Sequence, residues 1–325
     1  MRIGLATTGM LKVRPAIETL FGGKAVIFSK SLKRLDLIVG WGHKTTADPA
    51  RQFANTEKIP YVAFEEGLLG HPCGKVTEIP YTMIVDRTGI YYDSRSPNDF
   101  EMYIRRVANL HSRFHQAETL IHRLRTERLT KYNAVPIKNS HELGLRSNDK
   151  QDRVLVVDQT YGDASVIGAL CDEEAFERMF RDAVLDNIDR EIIVKIHPRV
   201  KTGEKKGYLS EQKLDLIYKK YPELQKYEKN ICIVAEQVNP WCLLEECEKV
   251  YCVSSQMGFE AVMAGCKVYS YGNSFYSGFG LTKDSSFVRC KGTMPRALEV
   301  LVTAFYFYYM FIPVSNNTLT LNGFD

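Results

Sequence analysis

The sequence predicts a two-domain α/β protein built on parallel sheets. Three observations carry this. The chain has 325 residues, more than one hydrophobic core usually encloses. Short runs rich in Val, Ile and Tyr alternate with helix-like segments along most of its length, which is a βα pattern. In the C-terminal half the strand candidates are near-continuously apolar, as strands covered on both faces of a parallel sheet are. Hydrophobic residues make up 45% and charged residues 25%. That is ordinary for a folded globular chain and excludes disordered, collagen-like and small disulfide-scaffold classes.

In the N-terminal part, Ile3–Ala6, Ala25–Phe28, Leu35–Val39, Tyr61–Phe64 and Thr82–Val85 read as strands bounded by Gly, Pro or charge. Arg14–Phe21 and Pro49–Lys58 read as helices, with Asp48 as cap and Pro49 at the first helical position. A long helix is expected from Asn98 to Lys131, since Tyr103, Val107, Leu110, Phe114, Ala117, Ile121 and Leu124 recur at helical spacing. Its Arg- and His-rich face suits solvent or an anionic lipid surface. The polar stretch Asn139–Asp152 reads as a linker.

Beyond it come repeating βα units. Arg153–Asp158, Ile192–Ile196, Ile231–Ala235, Val250–Val253 and Val268–Tyr271 are strands. Asp172–Leu185, Trp241–Glu246 and Gln256–Ala264 are helices, the last closed by Gly265. The apolar stretch Leu298–Pro313 is too short to span a membrane and carries Glu299, so a buried or interfacial helix is expected, a plain core helix ahead of membrane contact. Domains are placed at 1–145 and 146–285, with a helical segment and tail at 286–325.

The net charge is +4. A nucleic-acid binder normally carries a stronger, clustered excess, so no nucleic-acid partner is expected. The mild excess suits an anionic small substrate or membrane surface. The eight cysteines form no Cys-x-x-Cys pair, and several sit inside apolar runs. They read as reduced core residues of a cytoplasmic protein. The first ten residues, MRIGLATTGM, do not read as a secretory signal.

Polar clusters follow strands directly, where ligands of parallel sheets bind. Ser254 and Ser255 precede the helix that starts at Gln256. Orphan N–H groups and hydroxyls there suit a phosphate, or the pair is a plain helix cap. Glu260, about one and a half turns on, could reach a ribose diol or be a buried neighbour. His197 ends a strand before Pro198, flanked by Lys195 and Arg199. It could donate a proton to a departing nucleotide, or be a hydrogen-bonded structural histidine. Asp163, in a Gly-Asp turn, could attack a sugar carbon or cap a turn. Glu65 and Glu66 end another strand, as acid–base candidates or an exposed acidic loop. Together these suggest a nucleotide-sugar transferase of two Rossmann-like domains.

In this order, seven segments resemble the retaining β-Kdo transferases of bacterial capsule synthesis, the KpsC-type proteins of the capsule polysaccharide biosynthesis family (Kdo is 3-deoxy-D-manno-octulosonic acid). They are Val39-Gly40-Trp41-Gly42; Phe64-Glu65-Glu66-Gly67; Thr88-Gly89-Ile90-Tyr91-Tyr92-Asp93; Asp158-Gln159-Thr160 with Gly162-Asp163-Ala164-Ser165; Lys195-Ile196-His197-Pro198; Val253 through Ala261; and Phe275 through Thr282. The Glu-Glu-Gly and His-Pro elements are also similar to those of bacterial sialyltransferases.

The resemblance implies a GT-B-like fold, two Rossmann-like domains facing a central cleft, with the C-terminal helix packing back on the N-terminal domain. It implies CMP-β-Kdo as donor and β-Kdo products. Carried over, Asp163 is the nucleophile and Glu66 the base, with Glu65 second. His197, Pro198 and the Ser254/Ser255 helix start meet CMP, with Gln159 and Gln256 beside them. Glu260 holds the ribose, and Lys195 or Arg199 takes the Kdo carboxylate. No cofactor and no metal is expected, since no Asp-x-Asp motif is apparent. The acceptor is a lipid-linked or glycan chain, with capsule assembly proteins as partners and peripheral contact at the inner membrane face. KpsC-type proteins often carry two modules where this chain has room for one, and its tail, Ser315–Asp325, differs from the family's usual ending. Two other readings remain: an inverting transferase using CMP-sialic acid, and a non-catalytic scaffold of a capsule assembly complex.

Overall fold

The computed structural model describes residues 1–312 except 33, 71–79, 132, 134, 147–148, 150–151 and 286–291. In chain order the elements are β1 (Arg2–Leu5), α1 (Arg14–Phe21), β2 (Lys24–Ile27), β3 (Leu37–Trp41), α2 (Asp48–Glu57), β4 (Tyr61–Glu66), β5 (Met83–Asp86), α3 (Asp99–Val107) and α4 (Phe114–Thr126). Then follow β6 (Arg153–Val157), α5 (Ala164–Gly168), α6 (Glu173–Leu185), β7 (Glu191–Lys195), α7 (Pro198–Lys201), α8 (Glu211–Lys220), β8 (Ile231–Val234), α9 (Trp241–Leu244), β9 (Lys249–Cys252), α10 (Gln256–Ala264), β10 (Lys267–Ser270), β11 (Thr282–Asp284), α11 (Ala297–Val302) and β12 (Met310–Phe311).

The chain divides into two compact units. One is Met1–Leu120 with the chain from Glu299 onward; the other is Ile121–Leu298. The first holds a sheet in the order β12-β5-β4-β3-β1-β2. Its three pairings from β2 through β4 are parallel, while β5 pairs antiparallel with both β4 and β12. Every residue of β3 is buried, as expected of a strand covered on both faces. The second unit holds β11-β10-β9-β6-β7-β8, parallel throughout. Its core packs Phe176, Met179 and Phe180 of α6 against Val154, Val156 and Val194 of the sheet. The GT-B-like α/β class thus holds at the level of each unit.

The C-terminal segment packs on the first unit, as expected. After α11 the helix widens to a π-helix over Thr303–Tyr309, and β12 then joins β5. The Phe305 ring meets Phe100 at 5.1 Å and Tyr91 at 5.2 Å, and Tyr309 Oη donates to the buried Asp86 carboxylate at 2.6 Å. Aromatic edge contacts of this kind add to the area they bury.

Three expectations need adjustment. The helix foreseen over 98–131 is broken. Asn98 caps α3 by accepting from Glu101 N at 3.0 Å. The chain then leaves helical geometry at Leu110 (φ −87°, ψ 62°) before α4. Asn109 and Ser112 lie at that break, where side chains of their type compete for backbone hydrogen bonds. Helix α2 begins at Asp48 itself, with Ala47 as cap residue and no side-chain cap bond. Residues 121–145, placed by sequence in the first domain, belong to the second unit. Arg128 pairs with Glu245 at 2.6 Å, and Leu129 O accepts from Trp241 Nε1 at 3.0 Å. Such long-range contacts leave no mark on local composition.

Of the cysteines, Cys171, Cys232, Cys242, Cys247, Cys252 and Cys266 are free thiols, buried or half-buried. Cys73, Cys290 and the tail Ser315–Asp325 lie outside the described residues.

Candidate active site

In the second unit the polar residues gather beyond the carboxyl ends of β6, β7 and β9. Asp163 is the cap of α5, and its Oδ1 accepts from both Ser165 N and Ser165 Oγ at 2.9 Å. Among the described residues no hydrogen bond falls on Oδ2. The side chain is half-buried, neither packed away nor freely solvated. Ser165 Oγ also lies 3.1 Å from Ser254 Oγ. The carboxylate is therefore one hydroxyl removed from the loop that starts α10.

Gln159 ties this arrangement together. Its Nε2 donates to Ser165 Oγ at 3.0 Å and to Ser254 Oγ at 3.2 Å. Its Oε1 accepts from Ser254 N at 3.0 Å. Ser255 caps α10, accepting from Met257 N at 3.2 Å. Gly258 is required here, because a Cβ would stand 2.1 Å from Tyr276 Oη. That hydroxyl donates to Ser255 O at 2.7 Å and fixes the start of the helix.

His197 caps the short helix α7. Its Nδ1 accepts from Arg199 N at 3.1 Å, so the proton of the neutral ring sits on Nε2. Burial and the nearby Lys205, Lys195 and Arg199 push its pKa below the usual histidine value. Pro198 occupies the first helical position of α7. Lys195 Nζ donates to Ile196 O at 2.8 Å, and burial pushes its pKa down to about 8. Arg199 is exposed and paired with Glu204 at 2.9 Å.

Glu260 is buried on α10. Its Oε1 accepts from Thr130 Oγ1 at 2.6 Å and from Gln256 Nε2 at 3.2 Å. Burial pushes its pKa up to about 7. The bland reading of a buried neighbour therefore has a concrete form, an anchor for the chain at Thr130.

In the first unit, Glu65 and Glu66 end β4. Glu65 is buried and accepts from Lys44 Nζ at 3.1 Å. Glu66 is more open and lies 3.6 Å from Lys12 Nζ.

Two features escaped the sequence reading. Asp158 stood inside a quoted motif without a role. It is buried, and its Oδ1 accepts from Tyr208 N and Leu209 N at 3.0 Å while Oδ2 has no partner. Burial pushes its pKa up to about 7. His43 and Asp93 join at 2.6 Å across fifty residues of sequence. His43 directly follows Val39-Gly40-Trp41-Gly42 and Asp93 ends the Thr88 motif, so both lay at the margins of quoted segments.

Two α/β units with polar side chains gathered at parallel strand ends place the chain in the GT-B-like class. The chain belongs to the capsule polysaccharide biosynthesis protein family, which it matches over residues 36–314. It is 34% identical over 294 residues to the capsule polysaccharide modification protein LipA of Neisseria meningitidis serogroup A, covering 86% of this chain and 39% of LipA. The chain thus spans well under half the length of that relative. The lipopolysaccharide-processing protein LpsZ of Rhizobium meliloti is 29% identical over 280 residues, covering 83% of this chain and 58% of LpsZ. Among solved structures, the Thermosulfurimonas dismutans KpsC β-Kdo 2,4 transferase superposes with a TM-score of 0.78 at 34% identity, covering 96% of this chain and 92% of that one. The β-Kdo 2,7 transferase of the same organism shares the fold, with a TM-score of 0.64 at 21% identity over 97% and 93% of the two chains.

Among the described residues, no group of three or more His, Cys, Asp or Glu side chains is placed to hold a metal ion. No described helix is long and apolar enough to cross a membrane.

Proposed function

We propose that this chain is a retaining β-Kdo glycosyltransferase that moves Kdo from CMP-β-Kdo to a glycolipid or glycan acceptor in capsule biosynthesis. The observation that carries the reading is the Asp163–Ser165–Ser254 chain of hydrogen bonds, which puts a half-buried carboxylate beside a helix start. The similarity to the β-Kdo 2,4 transferase supports the sugar.

In this mechanism Asp163 Oδ2 attacks the anomeric carbon of Kdo. The bond from that carbon to the phosphate oxygen breaks, and CMP leaves with the electron pair. The Ser254/Ser255 helix start and Nε2–H of His197 take up the phosphate. An acceptor hydroxyl then attacks the glycosyl–Asp163 ester, giving its proton to Glu66 and releasing the carboxylate. Two inversions give net retention. Glu260 binds the ribose and Lys195 or Arg199 the sugar carboxylate. CMP carries one phosphate, so these groups suffice without a metal. The protein would act in the cytoplasm or peripherally at the inner face of the membrane, alongside capsule assembly proteins.

The test is mass spectrometry of the protein incubated with CMP-β-Kdo and digested, with product configuration read by NMR. A Kdo residue on the Asp163 peptide and a β-linked product are expected. An inverted product, or a sugar located elsewhere, would overturn the assignment.

A further inference from the structure

The turn that presents Asp163 depends on support from a distant part of the chain. Asp163 N donates to Thr160 O at 3.1 Å and closes the turn. Gly162 sits at φ 78°, a left-handed conformation that Gly adopts without steric cost. Asp163 Oδ1 is bound to Ser165, so the direction of Oδ2 follows from the backbone that carries it.

That backbone is held by residues 206–209, a strap laid along the turn. Lys206 O accepts from Tyr161 N at 2.8 Å, and Gly207 pairs with Thr160 as an antiparallel bridge. Tyr208 reaches nearest to the carboxylate. Its Oη accepts from Gly162 N at 3.4 Å, one residue before Asp163. Two successive peptide planes of the turn are therefore oriented by the strap, and the third by the turn's own bond.

The strap is itself pinned. Asp158 Oδ1 accepts from Tyr208 N and Leu209 N at 3.0 Å. Gly207 lets the strap lie this close, since a Cβ there would collide with Asp158 Oδ2. Tyr208 is buried, and its ring lies flat on Phe176 of α6, with centroids 4.1 Å apart and planes 4° apart. Stacking of this kind fixes the ring and so the direction of its hydroxyl. Gly162, by contrast, is exposed. Water can replace the hydroxyl on its N–H at little cost in stability, but water supplies no fixed direction, and catalysis depends on direction.

We infer that Tyr208 is a positioning residue: its clamped hydroxyl orients the Tyr161–Gly162 peptide and so aims Asp163 Oδ2 at the anomeric carbon. The inference rests on Asp163 being the nucleophile of the proposed transfer.

The experiment compares the parent with Tyr208→Phe, which keeps the ring on Phe176 and removes only the hydroxyl. The rate of Kdo-ester formation on Asp163 is read by rapid quench and mass spectrometry with CMP-β-Kdo and no acceptor. CMP affinity is read by calorimetry, and stability by the thermal unfolding midpoint. Ester formation should slow by about 10- to 100-fold. CMP should bind within about twofold of the parent, and the midpoint should stay within about 3 °C. Ester formation at the parent rate overturns the inference. So does a loss matched by weaker CMP binding or by a larger fall in midpoint, since a merely structural role moves these together. A parent that carries Kdo elsewhere than on Asp163 removes the transfer reading as well, whereas an Asp163 ester formed equally fast in both proteins removes only the role of Tyr208.

Discussion

Gln159 and Ser254 hold each other at two points: Ser254 N donates to Gln159 Oε1 at 3.0 Å, and Gln159 Nε2 donates to Ser254 Oγ at 3.2 Å. Both residues are buried. The pair links the loop after β6, which carries Asp163, to the loop that opens α10. Gln159→Leu would leave the Ser254 N–H buried without a partner, at a cost of about 1–3 kcal/mol. Thermal unfolding should show a lowered midpoint, by roughly 2–4 °C per kcal/mol. Turnover should fall further than stability alone explains, because Ser165 Oγ loses one of its three partners. An unaltered midpoint with full turnover would mean that the pair contributes nothing.

His197 separates capping from chemistry. Asn is as good a cap as any, so His197→Asn should leave the unfolding midpoint close to that of the parent. It removes the Nε2–H that the proposed mechanism sets against the leaving phosphate. Loss of a positioned hydrogen-bond donor to the developing charge costs about 10²-fold or more in turnover. Since its pKa lies below the usual histidine value, the neutral ring is the working form at neutral pH. Steady-state kinetics with CMP-Kdo decide this; parental kinetics in the variant would remove His197 from the phosphate side.

The parallel strands were readable because β3 and β6 are apolar at nearly every position and β7 across its middle three. The grouping of Asp163 with Ser254 was foreshadowed by topology, since both follow strands of one sheet and such ends converge. Other features depend on contacts distant in sequence. The hydrogen bond of Thr130 to Glu260 spans 130 residues, and nothing local to Thr130 announces it. The break at Leu110 was hidden because an apolar residue at helical spacing serves a 3-10 turn as readily as a helix. His43 and Asp93 each looked unremarkable until the fold brought them to 2.6 Å.

Asp158 should make stability pH-dependent. Burial raises its pKa from an ordinary 3.8 to about 7, against the opposing hydrogen bonds of Gln159, Leu209 and Tyr208 and the nearby Lys195. Below pH 3.8 both folded and unfolded states hold the proton, and the group costs nothing. Between pH 3.8 and about 7 the unfolded chain releases its proton while the folded chain keeps it, so stability falls as pH rises. Above about 7 the full cost remains. Asp158→Asn removes the titration. The parent should therefore lose stability relative to the variant across this window, by at most about 1.4 kcal/mol per pH unit. Lys195, at about 8, stays protonated throughout it. Glu260 titrates in both proteins and cancels in the difference. Urea unfolding at pH 4.5, 5.5, 6.5 and 7.5 checks this, and a constant difference would show that Asp158 is ionised in the folded state across the range.

Glu260 distinguishes an anchor from a ribose ligand. Its Oε1 already serves Thr130 and Gln256, and burial raises its pKa to about 7. Glu260→Gln keeps the volume and one acceptor oxygen while removing the charge, so the fold should hold, with stability above pH 7 equal to or greater than that of the parent. Glu260→Ala removes both partners' acceptor and should cost about 1–3 kcal/mol. If Glu260 also grips the ribose, Glu260→Gln should weaken CMP by about tenfold, since a carboxylate accepts from both hydroxyls of a diol and an amide oxygen from fewer. Deoxycytidine monophosphate, lacking one hydroxyl, should then discriminate less between parent and variant than CMP does. Calorimetry with the two nucleotides gives the answer: equal CMP affinity in parent and Glu260→Gln would confine Glu260 to holding Thr130 against α10.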